Sequence, residues 1–369
     1  MSLLDPLRRP ASLPPSKVDI GRALRDGRRR ERNRRALAVA AAAIAVGATI
    51  VGVSAFALDR RAPAPPADET PSPSGCSVHR LPTPGDDPGT VAAVDPGGGY
   101  AVGRLDTDGR VLVWASGVLQ VTENAPQPDP SPAAVNAAGI VVGNSGTGPW
   151  MLRDGAFKRL ATPPGAEQVM VAAINAGGDI AGTATTGKTG RIVRWNAAHP
   201  DQVTYVTSAA TPAVATAIGD DGTIVGTQGG AQAARWSPDG TVRPLNRPSG
   251  RPALGASGLA GDWAFGFYED SGMWFNHGVR WNLRTGESKE LGDFAPGAID
   301  ATGRMFGTRM LGPENTPPAL WRDGEVLDLP VLSPGQSATV TSASADGRLV
   351  AGFLFKAKND PIVAVRWAC

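Results

Sequence analysis

Cysteine and histidine are scarce, two and three residues in a chain of 369. Two cysteines cannot staple a disulfide-dense miniprotein, and His79, His199 and His277 stand too far apart to form a metal-ligand pair. Charge is thin as well: Asp, Glu, Lys and Arg make up 19% of the chain, 36 basic against 34 acidic residues. That balance excludes a uniformly basic nucleic-acid binder. No G-x-S-x-G elbow and no Walker loop occurs, and Gly97-Gly98-Gly99 sits in a turn between strands, without the helix that a dinucleotide loop needs. No cofactor and no metal is expected. What the chain has instead is glycine (47), proline (33) and 41% hydrophobic residues. So much Gly and Pro disfavours long helices and favours short strands joined by turns around a sizeable core.

The near-zero net charge conceals an asymmetry. Residues 1–35 carry a net charge of +7, concentrated in Arg28, Arg29, Arg30, Arg32, Arg34 and Arg35, whereas residues 76–369 carry −4. Directly after the arginines, Ala36 to Leu58 contains no charge in 23 residues. As a helix at about 1.5 Å per residue this run is long enough for a bilayer core. The basic flank places the amino terminus in the cytoplasm and everything after Leu58 outside. Residues 36–58 are therefore expected to form a single-pass transmembrane helix and signal anchor, with the lipid bilayer as its partner. A cleaved signal peptide is the alternative, since Ala55-Phe56-Ala57 fits a small-x-small cleavage site and Arg34-Arg35 has a loose twin-arginine character; it leads to a secreted protein. Residues 59–75 contain five prolines and read as a semi-extended stalk.

From Cys76 onward one phrase recurs seven times. Residues 172–182 read A-A-I-N-A-G-G-D-I-A-G and residues 133–143 read A-A-V-N-A-A-G-I-V-V-G; each copy closes on a glycine, namely Gly103, Gly143, Gly182, Gly226, Gly266, Gly307 and Gly352. The steps between these glycines run from 39 to 45 residues. After each comes a Trp at the end of a short apolar run: Trp114, Trp150, Trp195, Trp236, Trp281, Trp321 and Trp367, several of them preceded by Arg as in AARW (233–236) and AVRW (364–367). A turn and a strand ending in Leu follow, as at Leu160, Leu245, Leu291 and Leu329. Pairs such as Asp154-Gly155 and Asp323-Gly324 supply the positive φ of tight hairpins. Four short strands in about 42 residues is the period of a propeller blade. The fold class is accordingly all-β: a seven-bladed β-propeller over 76–369 with four-stranded blades, preceded by one transmembrane helix.

The ends of this region point to ring closure. The last copy stops at Trp367-Ala368-Cys369 without a fourth strand, and Cys76-Ser77-Val78-His79-Arg80-Leu81 has the shape of the missing one. The N-terminal segment is thus expected to complete the last blade, bringing Cys76 and Cys369 together as a disulfide in an oxidising exterior.

One copy departs from the pattern. The connection between Gly266 and Trp281 is long and carries Trp274 outside the repeat register. Tyr268, Trp274 and Phe275 with Glu269 and Asp270 are the candidate ligand face, a platform for a sugar or a peptide; the other reading is that these aromatics fold inward to patch the glycine-rich fifth blade.

The phrase A-x-x-I-N-x-x-G-x-I-V-G followed by a strand ending in Trp resembles the bacterial extracellular HAF-type repeat, over residues 91–367. The naming tripeptide is replaced here by variants such as A-A-R and A-V-R before Trp. The resemblance implies an exported propeller and brings no catalytic residues. The anchor, stalk and preference for Arg over Lys look like an actinobacterial surface protein. These features lead to a monomeric, membrane-anchored, extracytoplasmic module that binds or scaffolds an envelope protein or glycan without turning it over. The alternative is a propeller hydrolase or lyase acting on an extracellular polymer, which requires Asp, Glu or His converging at the mouth of the central channel.

Overall fold

Every period of the repeat folds into one four-stranded antiparallel sheet, and seven such sheets form a β-propeller in the computed structural model. Residues 74–369 are described, apart from 122–128, 209–210, 250–252, 269–276, 312–315 and 357–360. The basic segment 1–35, the apolar run 36–58 and the stalk as far as residue 73 lie outside the described residues. Among the described residues no helix is long and apolar enough to cross a membrane. Blades one to six span 89–121, 131–159, 168–205, 213–244, 255–290 and 294–328. Blade seven takes three strands from 337–368 and its outer strand, Ser77–Arg80, from the other end of the chain.

That closure follows the sequence expectation. Ser77–Arg80 pairs antiparallel with Val363–Ala368, Ser77 opposite Ala368 and Arg80 opposite Val365, and a disulfide joins Cys76 to Cys369 beside it. The bond spans 293 positions. Chain entropy for so long a loop gives about 5–6 kcal/mol as a ceiling, against about 2–4 kcal/mol typically measured.

The recurring glycines have a steric origin. In each blade the innermost strand is bulged, at Val91/Ala93, Pro132/Ala134, Val171/Ala173, Ala215/Ala217, Ala256/Gly258, Pro296/Ala298 and Val340/Ser342. The bulge drives a carbonyl oxygen of the inner strand toward the second strand, into the space of a side chain. A Cβ on Gly103, Gly182, Gly226 or Gly352 would overlap the carbonyl oxygen of Thr90, Met170, Val214 or Thr339. Only glycine fits there, so the repeat is punctuated by it.

The tryptophans are the mortar between blades. The indole N–H of Trp195 in blade three donates to the Ala161 carbonyl, just after Leu160 at the end of blade two, at 2.8 Å. Trp114 does the same to Pro82, Trp281 to Asn246 and Trp367 to Pro330, at 2.7–2.8 Å. Each acceptor follows the recurring leucine of the preceding blade, which explains why Leu and Trp recur in step. Trp150 departs from the sequence register: it pairs with Gly143 itself, two residues before the position of the other six, where Leu152 stands instead. Two residues along a strand keep the same face, so Trp150 stays buried, but its N–H turns to Asn144 of its own blade.

The I-N of the repeat phrase has a reason too. Asn175 ends the inner strand of blade three; its Oδ1 accepts from Asp179 N–H within its own turn while its Nδ2 donates to the Gly219 carbonyl of blade four at 3.0 Å. Asn136 repeats this toward the Asn175 carbonyl. Asp300 stands at that position in blade six and has no amide to donate; its carboxylate holds Arg304, whose guanidinium reaches the Asp346 carbonyl of blade seven. Arginines before Trp also cross between blades, as Arg280 does by donating to the Gly303 carbonyl of blade six.

Candidate functional site

The central channel is the first place to look in a ring of this kind. At the end where each inner strand turns into the second strand it opens into a cavity of about 300 Å³. Its wall is built from the bulge positions, Ala92, Ala133, Ala172, Thr216, Ser257 and Thr341, with main chain between them. Asp220 is the one carboxylate among the described lining residues. Nearby Asp95 and Asp300 are 1% and 0% exposed and turn away into their own hairpins: Asp95 accepts from the N–H groups of Gly97 and Tyr100, Asp300 from those of Thr302 and Arg304. The convergence of Asp, Glu or His that the hydrolase or lyase alternative requires is not formed among the described residues. No group of three or more His, Cys, Asp or Glu among them stands close enough to hold a metal ion.

Ionisable groups gather instead on the seam between blades four and five. There a groove of about 300 Å³ runs between the outer strand of blade four, Val242–Pro244, and the turn after Trp281 in blade five. Its polar lining among the described residues is Arg235, Arg243, Asn246, Arg247, Asn282 and Ser288, with no carboxylate among them. Arg247 is 7% exposed, with Nε 2.8 Å from Glu290 Oε1 and its guanidinium carbon 3.6 Å from the centre of the Tyr268 ring. Burial of a charge demands such partners, and the ring face adds a cation–π attraction.

Arg235 shows how one substitution changes a blade. In blade three its counterpart Arg194 is held by Asp179 at 2.6 Å. Burial pushes the Asp179 carboxyl up, but hydrogen bonds from Asn196 and Arg194 outweigh it and hold that carboxyl below the ordinary range. The cross-strand register puts Thr223 where blade three has Asp179, and Trp263 at that position in blade five. Arg280 of blade five lies over Trp263 at 4.2 Å. Arg235 has neither an acid nor a ring there; it donates to the Leu283 carbonyl across the seam.

Of the candidate ligand face, the structure describes Tyr268. It ends the second strand of blade five, is 4% exposed, and belongs to the core with Leu245, Ala253 and Ala256. His277 opens the next strand and stacks on it at 5.2 Å with 19° between the rings, donating from Nδ1 to the Gly292 carbonyl. Tyr268 therefore supports Arg247 from beneath. Glu269, Asp270, Trp274 and Phe275 lie outside the described residues. The seam arginines went unmarked in the sequence, yet a signal was there: Arg235 and Arg243 are placed symmetrically about the Ser-Pro-Asp-Gly-Thr turn, and a hairpin puts such positions opposite each other.

No family model matches this chain, and no curated protein matches it. Its fold is similar to solved structures of several kinds. Virginiamycin B lyase from Staphylococcus aureus superposes with a TM-score of 0.56 at 16% identity, over 80% of this chain and 99% of that one. Oligogalacturonate lyase from Vibrio parahaemolyticus gives 0.57 at 11% identity, over 80% and 94%. The Cps50 (Swd1) β-propeller domain of Myceliophteria thermophila gives 0.51 at 11% identity, over 79% and 98%. At these identities the likeness shows the propeller fold, shared by lyases and by a propeller domain of a different kind.

Proposed function

We propose that the chain is an extracytoplasmic binding module, held at the cell membrane by residues 36–58 with its amino terminus in the cytoplasm, and that it engages an envelope protein or glycan without chemical turnover. The observation that carries this reading is the distribution of ionisable groups. The channel, where a propeller enzyme would gather its acids and bases, is walled among the described residues by small and aliphatic side chains and main chain, with Asp220 as a single carboxylate. Cationic and amide groups gather on the outer seam of blades four and five, a surface suited to holding a ligand. The Cys76–Cys369 disulfide supports an oxidising compartment, and the Arg cluster before residue 36 supports the orientation. The HAF-like phrase and the actinobacterial character of the composition accord with an exported repeat protein.

The test has two arms. Reporter fusions placed before residue 36 and after residue 75 read the topology: a phosphatase active only after residue 75 is expected, and activity at both sites or at the first overturns the orientation. The full chain in non-ionic detergent is then incubated with purified envelope polymers, and binding is followed together with the size of the recovered polymer. Saturable retention of intact polymer is expected; progressive shortening moves the assignment to the hydrolase or lyase alternative.

A further inference from the structure

Arg235 and Arg243 are direct cross-strand partners in blade four. Opposed residues of an antiparallel pair project from the same face with their Cβ atoms only about 4.5–5.5 Å apart, and like charges so placed destabilise the pair. Three other arginines of the propeller have an acid beside them, Arg194 with Asp179, Arg304 with Asp300 and Arg309 with Asp328, and Arg191 and Arg280 instead lie over the rings of Tyr205 and Trp263. Neither Arg235 nor Arg243 has an ion-pair partner among the described residues. Asp239, in the turn between their strands, is exposed and accepts from the Thr241 N–H at 2.9 Å, and the charge of Arg243 is a minor influence on it. Thr223 occupies the place from which blade three supplies Asp179. A third guanidinium, that of Arg247, borders the same groove in an orientation set by Glu290 and Tyr268. Repulsion between the first two is relieved by an anion lying between them. Among the described residues Asp221 and Asp262 border Arg235 only in a separate cavity on the Thr223 side, where Asp262 pairs with Arg284 and Asp221 accepts from Thr223.

We propose that this groove binds a saccharide bearing an oxyanion, with the carboxylate or phosphate held between Arg235 and Arg243. The guanidinium fork presents paired N–H donors whose spacing matches the two oxygens of either group, and two cations flanking one anion add to such charge-assisted bonds. Asn246 and Ser288 line the rest and offer amide and hydroxyl groups to ring hydroxyls, while the buried Asn282 fixes the floor by accepting from the N–H groups of Arg284 and Thr285. A volume of about 300 Å³ lies at the lower end of small-molecule sites and suits one acidic sugar, as a monomer or as the terminus of a longer chain. The assignment rests on the binding-module reading and names the ligand class that this surface takes.

The full chain in non-ionic detergent is titrated calorimetrically with glucuronate, glucose 6-phosphate and glucose at low and high salt. Three proteins are compared: wild type, Arg243→Gln, and Arg348→Gln as an exposed arginine in blade seven far from the groove. Wild type is expected to bind at least one of the two anions and not glucose. Affinity falls at least fivefold in R243Q and in high salt, and stays within twofold in R348Q. Binding of glucuronate alone or of glucose 6-phosphate alone keeps the proposal and identifies the oxyanion. Glucose binding as well as the anions, equal loss in R348Q and R243Q, no loss in R243Q, or no binding of either anion overturns it. Failure here, with intact envelope polymer still retained by the same protein, removes this groove assignment and leaves the binding module standing.

Discussion

Blades three and four carry the same Arg-Trp pair at the end of the third strand, and the two arginines have different fates. In blade three Arg194 is closed off by Asp179 at 2.6 Å, and the Gly222 turn of blade four packs close to its guanidinium. In blade four Thr223 replaces the acid, Arg243 faces Arg235 across the strands, and a groove opens beside them. The comparison separates two layers of the protein. Bulge, glycine and buried Trp are common to both blades and hold the ring; the identity of one residue beside the arginine decides whether a seam is mortar or an open, cationic surface.

The most damaging way to probe the shared layer is to add a methyl group opposite the bulge. Gly182→Ala and Gly226→Ala each force a Cβ onto an inner-strand carbonyl, that of Met170 and of Val214. Both are expected to cost about 3 kcal/mol or more, at the upper end of overpacking effects, and by similar amounts in the two blades. Urea denaturation of the two variants measures this; a cost confined to one blade would show that the blades do not share one scaffold.

Opening the ring comes next. Cys76→Ser is expected to remove about 2–4 kcal/mol under oxidising conditions, seen as a fall in melting temperature that a reductant reproduces in the wild-type protein and does not deepen in the variant. Unchanged melting would refute closure as a source of stability. Because the disulfide joins blade seven and touches neither seam arginine, anion binding at low temperature is expected to survive it.

The difference between the blades is sharpened by unpairing one and discharging the other. Asp179→Asn leaves Arg194 without its acid and is expected to cost about 1 kcal/mol, the scale of a partly exposed charge-assisted pair. Arg243→Gln removes a repulsion and is expected to change stability by less than about 0.5 kcal/mol, in the stabilising direction at low salt. Opposite signs in thermal melts of these two variants bear out the contrast; destabilisation by R243Q as large as that by D179N would break it.

The smallest effect is the pH dependence of the same pair. The folded state lowers the Asp179 carboxyl below its ordinary value of 3.8. A lowered carboxyl contributes stability that is present above the unfolded value and is lost as pH falls through the folded one. Wild type is therefore expected to lose a fraction of a kcal/mol more than Asp179→Asn between pH 5 and the acid side of that range, read from urea melts at successive pH values. Parallel pH profiles for the two proteins would remove the assignment.

The ring was legible in the sequence because its landmarks are steric necessities. A bulge opposite the second strand admits only glycine, a tight hairpin wants positive φ, and Asp154-Gly155 and Asp323-Gly324 supply it at both positions. The missing fourth strand of the last copy and its matching piece after Cys76 made circular closure readable from the amino-acid pattern. The register of Trp150 was not readable, because a slip of two residues keeps the same face and leaves the apolar pattern unchanged. The candidate site was read less well. An aromatic beside an irregular loop announces either a ligand or a repair, and composition does not choose; Tyr268 is buried under Arg247.

By itself the sequence determined the number of blades and the placement of their turns, since each is enforced locally by backbone geometry and repeated seven times, and it showed the pairing of the two ends because the last copy lacks the one strand that the segment after Cys76 supplies. Tertiary structure alone decided which arginines are neutralised. Whether Arg235 meets an acid depends on Thr223, on Arg243 across the hairpin and on the Leu283 carbonyl of the next blade, groups separated in the chain and brought together only when blades four and five pack. Charge is local to a residue, but its compensation is a property of the seam.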